Sequence, residues 1–165
     1  MAETIIVRDL RADDDVDGLV RIAVAAWEPI YAMYRQAMGE EMFLTLHPDW
    51  PAEKGGQVRR SCEPKSGALV CVAERQGRVV GFATYYVDRG RGIAEIGNNA
   101  VEPSCRGQGI GPLMYEYIFE QLRRRGARYV TVHTGGDPAH APARRAYEKA
   151  GFDVQLSEVA YLRKL

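Results

Sequence analysis

Six residues in the second half of the chain have the composition of an anion-binding turn. They lie between a strand-like segment that ends at Val101 and an amphipathic segment that begins near residue 109. Glycines at the start of a helix expose backbone N–H groups, and the positive end of the helix dipole adds to their attraction for phosphate. A tight turn without a ligand would use the same glycines. The six residues are Arg106, Gly107, Gln108, Gly109, Ile110 and Gly111.

Two nucleotide-binding motifs have glycines of this kind, and neither fits the turn. A P-loop requires Lys-Ser/Thr after its last glycine, and no such pair follows Gly111. A dinucleotide fingerprint is disfavoured because Pro112 stands at its third glycine position. Asp137 would suit a dinucleotide site, but three antiparallel strands before the turn contradict a parallel Rossmann half.

The elements that position this turn begin with a short β-branched strand over residues 4–8. Apolar residues spaced by three and four from Val16 to Tyr34 predict a helix, which Pro29 must bend or end. Residues 39–46 indicate a second helix, and residues 47–56 an irregular loop beside a ligand site.

Strand periodicity takes over from residue 68. Three strands joined by short turns predict an antiparallel meander, and the glycine turn then leads into an amphipathic helix closed by arginines and Gly126. The expected order is β-α-α-β-β-β-α-β-α-β-β. The predicted strands cover residues 68–74, 79–87, 94–101, 129–134, 152–155 and 159–165, and the later helices residues 110–122 and 143–150.

The composition narrows the class of protein. With 165 residues, 46% of them hydrophobic, the chain suits one globular domain over residues 1–165. Its 22 basic and 22 acidic residues cancel, which disfavours nucleic acid or an anionic membrane as partner. Three cysteines fit neither a disulfide framework nor a zinc site, and no signal peptide or membrane span is expected, so the prediction is a cytoplasmic protein without a metal.

With its neighbours, the turn resembles the GNAT superfamily of acyl-CoA N-acyltransferases, whose pyrophosphate motif reads Gln/Arg-x-x-Gly-x-Gly/Ala. Residues 106–111 match that motif fully, residues 94–103 resemble the family's fourth strand, and residues 143–152 its later helix. The resemblance implies an α/β fold with a splayed, mostly antiparallel sheet that binds acetyl-CoA between its fourth and fifth strands. The pantetheine arm would then bond the backbone near Asn99 and Val101.

The resemblance also implies catalytic roles. Glu95 stands where many members carry a general base, with Asp137 in reserve, and Tyr147 matches the tyrosine that protonates the leaving thiolate and contacts the cofactor. At one position the chain departs from the family, which often has Asn where His140 stands. His140 is a candidate for the cofactor site or the base, and a helix cap is the alternative.

Aromatic residues near Pro29 are candidates for the acceptor pocket, because the family's first helices usually form its wall. Packing in the core is the competing interpretation of the same spacing. The predicted function is acetyl transfer from acetyl-CoA to a primary amine of a small molecule or peptide. The alternative is a non-catalytic acyl-CoA sensor or docking module, and a homodimer is frequent in the family. The aromatic candidates are Trp27, Tyr31 and Tyr34.

Overall fold

Five strands form one sheet in which neighbours in space are also neighbours in the chain. In the computed structural model, which describes residues 4–165, the first four strands pair antiparallel and the fourth and fifth pair parallel. The predicted α/β class with a mostly antiparallel sheet is therefore confirmed. The strands are β1 (Ile5–Asp9), β2 (Leu69–Arg75), β3 (Arg78–Asp88), β4 (Ile93–Val101) and β5 (Tyr129–Val132).

Helices cover both faces of this sheet. One face packs on α1 and α3 through buried residues such as Leu19, Val58 and Phe82. The other packs on α4 and α5, with Ile118 and Tyr147 in its core. We call them the α1/α3 face and the α4/α5 face. The helices are α1 (Val16–Met38), α2 (Glu40–Leu46), α3 (Trp50–Cys62), α4 (Ile110–Arg124) and α5 (Ala141–Lys149).

The loop predicted over residues 47–56 is wrong, because α3 begins at Trp50. The Asp49 side chain accepts a hydrogen bond from the Ala52 N–H at 3.2 Å, and Pro51 occupies the first turn, where its missing N–H has no effect. Gly55 lies inside the helix because it packs closely on α1: a Cβ there would come within 2.9 Å of Val20 Cγ1.

Pro29 does not end α1, which continues to Met38. Both Pro29 and Ala25, whose carbonyl loses its helical N–H partner, are exposed, so water can satisfy that carbonyl.

The two strands predicted over residues 152–155 and 159–165 are also wrong, since this segment forms no regular structure. Within residues 4–165, the edge strand β5 pairs only with β4, and no strand pairs with the segment. Phe152 packs on Tyr147 at the edge of the core, but the large apolar side chains from Val154 onward are exposed. A strand needs both a pairing edge and an apolar surface to cover, and periodicity alone reveals neither.

β4 contains a bulge that divides its side chains between the two faces. Ala83 pairs with Asn99 and Tyr85 with Ile96, which leaves Gly97 and Asn98 together opposite one residue of β3. The bulge reverses the alternation, so Ile96 and Asn99 both face α4 and α5. Asn98 instead faces α3.

β4 and β5 separate beyond the bulge. Their parallel pairing ends at Ile96 and Val132, whereas β4 continues to Val101. No strand among the described residues pairs with this last part of β4 on its β5 side. The predicted splay of the sheet is therefore present, and it leaves unpaired backbone groups beside the glycine turn.

Candidate active site

The glycine turn lies directly after β4 and leads into α4. Gly107 and Gly109 have positive φ values of 75° and 79°, which glycine adopts without strain. In the described chain, the backbone N–H groups of residues 107–111 find no hydrogen-bond acceptor. A Cβ at residues 107, 109 or 111 would meet nothing within 4 Å. Free donors, open space and the exposed Arg106 suit a pyrophosphate group.

Sequence reasoning missed a second arginine beside this turn. The Arg75 guanidinium at the end of β2 donates to Gln108 Oε1 at 2.6 Å and contacts Cys105 Sγ at 3.2 Å. These contacts anchor the turn to the sheet and place a further positive charge next to it. Arg75 and Gln108 are 33 positions apart, so no local pattern could have revealed the pair.

Asn99 joins β4 to the predicted general acid. Its Nδ2 donates to the Tyr147 hydroxyl oxygen at 3.1 Å, and its Oδ1 accepts from the Tyr115 hydroxyl at 2.9 Å. The Tyr147 ring packs in the core against Tyr115 and Phe152. Tyr147 therefore has both a packing role and a polar role. The core fixes its ring, and Asn99 holds its hydroxyl at β4.

The phenol of Tyr147 is in the form that an acid requires. Burial raises its pKa, and the hydrogen bond that its hydroxyl accepts from Asn99 offsets only part of this effect. A phenol with a raised pKa keeps its proton at neutral pH and can donate it. The Asn99 bond uses an oxygen lone pair and leaves that proton available.

Glu95 lies on the other side of the strand. It alternates with the buried Ala94 and Ile96, and its antiparallel partner is Tyr86, whose hydroxyl lies 3.3 Å from Ser61 Oγ on α3. The Glu95 side chain is thus on the α1/α3 face and exposed. This position suits a base that meets an amine from that face, and the role stays a prediction.

Asp137 and His140, two separate candidates in the sequence, form a pair. His140 Nδ1 lies 2.6 Å from Asp137 Oδ2, and Arg144 donates to the carbonyls of Gly135 and Asp137. Burial opposes the ionisation of Asp137, but its hydrogen bonds from His140 outweigh this and hold its pKa below the usual range. A carboxylate that binds Nδ1–H leaves the other ring nitrogen of a histidine able to accept a proton.

The three aromatic candidates for the acceptor pocket separate into two environments. Tyr31 stacks on Trp50 at a centroid distance of 4.3 Å, and Tyr34 contacts both His47 and His140. The structure therefore brings Tyr31 and Tyr34 into one aromatic cluster beside the Asp137–His140 pair. Trp27 lies elsewhere, beneath the ammonium of a lysine on α3.

That lysine, Lys54, is 7% exposed, and burial lowers its pKa to about 8 from 10.5. Its Nζ lies 4.3 Å from the centroid of the Trp27 ring. Sequence reasoning assigned Lys54 to a loop and gave it no role. The signal that was available was the Asp-Trp-Pro start of a helix, which would have placed Lys54 one turn into α3.

The lowered pKa of Lys54 predicts a specific dependence of stability on pH. Between pH 8 and 10.5 the unfolded chain holds a proton that the folded chain has released, so the free energy of unfolding rises with pH. The free energy of unfolding, measured with urea, should increase from pH 7 to pH 9.5 by about 1–2 kcal/mol more in the wild-type protein than in Lys54→Met. Lys65→Met, at an exposed lysine, is the control and should keep the wild-type increase. If the free energy of unfolding increases equally in Lys54→Met and Lys65→Met, the prediction is wrong.

Residues 4–165 lack two kinds of structural feature. No group of three or more His, Cys, Asp or Glu side chains there is arranged to hold a metal ion. None of the helices in the same range combines the length and the apolar character needed to cross a bilayer. The first three residues, which belong to the segment expected not to be a signal peptide, lie outside the described residues.

Known proteins resemble the chain in sequence. The IAA acetyltransferase of Azospirillum brasilense is 31% identical over 113 residues, which cover 68% of this chain and 72% of that protein. The mycothiol acetyltransferase of Thermomonospora curvata is 34% identical over 117 residues, which cover 70% of this chain and 38% of that protein. The chain thus matches about two fifths of the length of that larger relative.

Solved structures share the fold. The PaiA N-acetyltransferase of Thermoplasma acidophilum, solved in complex with coenzyme A, matches with a TM-score of 0.72 at 19% identity, over 94% of this chain and 93% of that one. The IAA acetyltransferase of Bacillus cereus matches with a TM-score of 0.60 at 20% identity, over 93% and 79%. The model of the acetyltransferase (GNAT) family matches residues 27–152. Since this match includes β2 to β5 and the glycine turn, the chain belongs to the acetyltransferase (GNAT) family.

Proposed function

We propose that the protein is an N-acetyltransferase that moves an acetyl group from acetyl-CoA to a primary amine of a small molecule or peptide. One observation carries the proposal. The free N–H groups of the glycine turn lie at the end of β4, where this strand leaves β5 and Asn99 holds the Tyr147 hydroxyl. An anion cradle and a proton donor thus belong to one strand, and relatives carry the name acetyltransferase.

Acetyl-CoA would be held by backbone groups along this strand. Residues 106–111 would bind the pyrophosphate, and the unpaired part of β4 near Asn99 and Val101 would bond the pantetheine arm. His140, which directly precedes α5 and contacts Tyr34, is a further candidate for contact with the cofactor. The bound thioester supplies the activated acetyl group.

The residues of the chain divide the proton transfers between the two faces of β4. Glu95 on the α1/α3 face accepts a proton from the incoming ammonium, directly or through water. Tyr147 on the α4/α5 face donates a proton to the departing thiolate. The amine attacks while both reactants are bound, so their relative position contributes a large part of the rate.

The experiment that tests this function measures release of free thiol from acetyl-CoA with a panel of primary amines, together with mass spectrometry of the products. Glu95→Gln is expected to lower kcat/KM for the amine about a hundredfold or more. It should also remove the acidic limb of the pH profile, because a neutral amide cannot accept the proton.

His140→Ala and Asp137→Asn are the comparison variants, because their pair is the other candidate base. If these two remove the acidic limb and Glu95→Gln does not, the base is His140 and the role proposed for Glu95 is wrong. If no amine raises thiol release above background although coenzyme A binds, the proposed acetyltransferase activity is wrong. The result would then favour a sensor or docking module.

A homodimer, a cytoplasmic location and a single domain over the whole chain remain predictions. Exposed apolar side chains after residue 152 favour contact with another protein surface. The large ones, each at least 74% exposed, are Val154, Leu156, Val159, Tyr161 and Leu165.

A further inference from the structure

A polar groove of about 470 Å³ opens on the α1/α3 face between α3 and strands β3 and β4. It is bordered by Tyr86, the cross-strand partner of the proposed base Glu95. The groove therefore lies on the face of the sheet from which the amine would approach. Its lining residues are Gln57, Arg60, Ser61, Glu63, Ser66, Tyr86 and Asn98.

The ammonium of Lys54 lies behind two of these lining residues. Lys54 Nζ donates to Gln57 Oε1 at 2.9 Å and to Asn98 Oδ1 at 3.1 Å, and its third side faces the Trp27 ring. None of these neighbours carries a negative charge. Across residues 4–165, Lys54 has no carboxylate within ion-pair distance.

In a second cavity of the molecule, unlike at Lys54, the cationic side chains are paired with carboxylates. Three arginines line a cavity of about 590 Å³ between the start of α1 and the β2–β3 turn. Each is paired with a carboxylate that lines the same cavity: Arg8 with Asp14, Arg21 with Asp15 and Arg78 with Glu102. Charges there are already matched, whereas a buried ammonium without an anion is unfavourable and attracts one.

The lysine also determines how the two amides present themselves to the groove. Both amides direct their oxygen atoms at the ammonium, so their NH₂ groups face away from it. Neither NH₂ group has a hydrogen-bond partner among the described residues. The groove wall thus offers amide donors with a positive charge behind them, and Arg60 adds an exposed guanidinium that has no ion-pair partner in residues 4–165.

We propose that this groove binds a carboxylate of the acyl acceptor, through the amide NH₂ groups of Gln57 and Asn98 with Lys54 behind them. The proposal rests on the proposed function and specifies its acceptor as a primary amine that also carries a carboxylate, such as an amino acid or a peptide C-terminus. The amine would face Glu95, and the carboxylate would face Asn98, three residues further along β4.

A monoanion fits this site better than a phosphate. One ammonium is buried here, and Glu63 lines the same groove, so a dianion would meet repulsion without a second buried cation. The planar pair of carboxylate oxygens also matches two NH₂ donors.

The first test compares acetylation of amino acids with that of their amides, for example phenylalanine and phenylalaninamide. The wild-type protein is expected to prefer the carboxylate form. Lys54→Met should raise the KM for that form about 10- to 100-fold and leave the KM for the amide nearly unchanged. Lys149→Met, at an exposed lysine on α5, is the matched control and should change neither value.

A second variant covers the case in which Lys54→Met does not fold. Gln57 is exposed on α3, so Gln57→Glu is compatible with the fold and supplies an internal carboxylate to Lys54. It should weaken the preference for the carboxylate form as strongly as Lys54→Met. O-Phosphoethanolamine is the competing probe: a Lys54-dependent preference for it over the amino acids would overturn the assignment to a carboxylate.

Binding is measured without turnover so that the two proposals can fail separately. Trp50→Phe leaves Trp27 as the single tryptophan, directly beneath Lys54 Nζ. Phenylacetate is expected to change the Trp27 fluorescence, phenylacetamide is not, and the response should disappear with Lys54→Met. Equal acetylation of acids and amides, or no response to phenylacetate, would overturn the carboxylate site even if the acetyltransferase activity is found. A response without any turnover would support the site and contradict the proposed function.

Discussion

Tyr147→Phe is expected to lower kcat by about a hundredfold or more while the Kd for coenzyme A changes little. The substitution removes only a hydroxyl group, so the ring keeps its packing against Tyr115 and Phe152. Because burial raises the pKa of Tyr147, the wild-type phenol should remain protonated from pH 6 to 9, and the loss should be similar throughout that range. Thiol release with a saturating amine measures kcat, and calorimetry measures the Kd.

Tyr117→Phe is the matched control. Its hydroxyl donates to Asp9 at 2.8 Å at the β1 side of α4, away from Asn99. Removing it should leave kcat close to the wild-type value. If Tyr147→Phe retains the full kcat, another group or water protonates the thiolate, and the role proposed for Tyr147 is wrong.

Gly109→Val should reduce the affinity for coenzyme A by on the order of tenfold to a hundredfold. The φ value of 79° at Gly109 is strained for a β-branched residue, with a cost of about 1–2 kcal/mol. The chain can relieve this strain only by moving the backbone N–H groups that would bind the pyrophosphate. The variant also places two methyl groups in the open space beside the turn. The Kd for coenzyme A from calorimetry is the measurement.

Gly126→Val separates loss of binding from loss of stability. Gly126 follows the other end of α4 and has a φ value of 82°, so its substitution strains the backbone equally. Both variants should lower the melting temperature, but only Gly109→Val should weaken binding. Equal Kd values for the two would mean that residues 106–111 are a structural turn and not the pyrophosphate site.

The sequence revealed elements whose signals are local. The glycine turn, the antiparallel meander and α4 follow from periodicity and helix-end residues within a few positions of one another. The strands predicted over residues 152–165 are wrong for the opposite reason, because whether an apolar segment becomes a strand depends on a pairing edge elsewhere in the fold. The loop predicted at the start of α3 is wrong for another reason. Pro51 suggests a loop, but proline is also favoured in the first turn of a helix.

The same distinction applies to the site. Its candidate residues follow from motifs, and the structure shows Asn99 beside Tyr147, and Asp137 beside His140. Sequence reasoning missed three further residues because each reaches the site through contacts between distant parts of the chain. Their roles depend on burial and hydrogen-bond geometry, which no spacing in one sequence reveals. The three are Arg75, Tyr115 and Lys54.

The bulge in β4 makes the length of this strand matter as much as its composition. Asn98 and Asn99 are identical neighbours in sequence, yet one contacts Lys54 and the other contacts Tyr147. Losing one residue at Gly97 would restore the regular alternation and exchange the surroundings of every side chain on one side of the deletion. Relatives that diverge widely in side chains along β4 should therefore keep its residue count, and gaps in this segment should be rarer than in the loops that flank it.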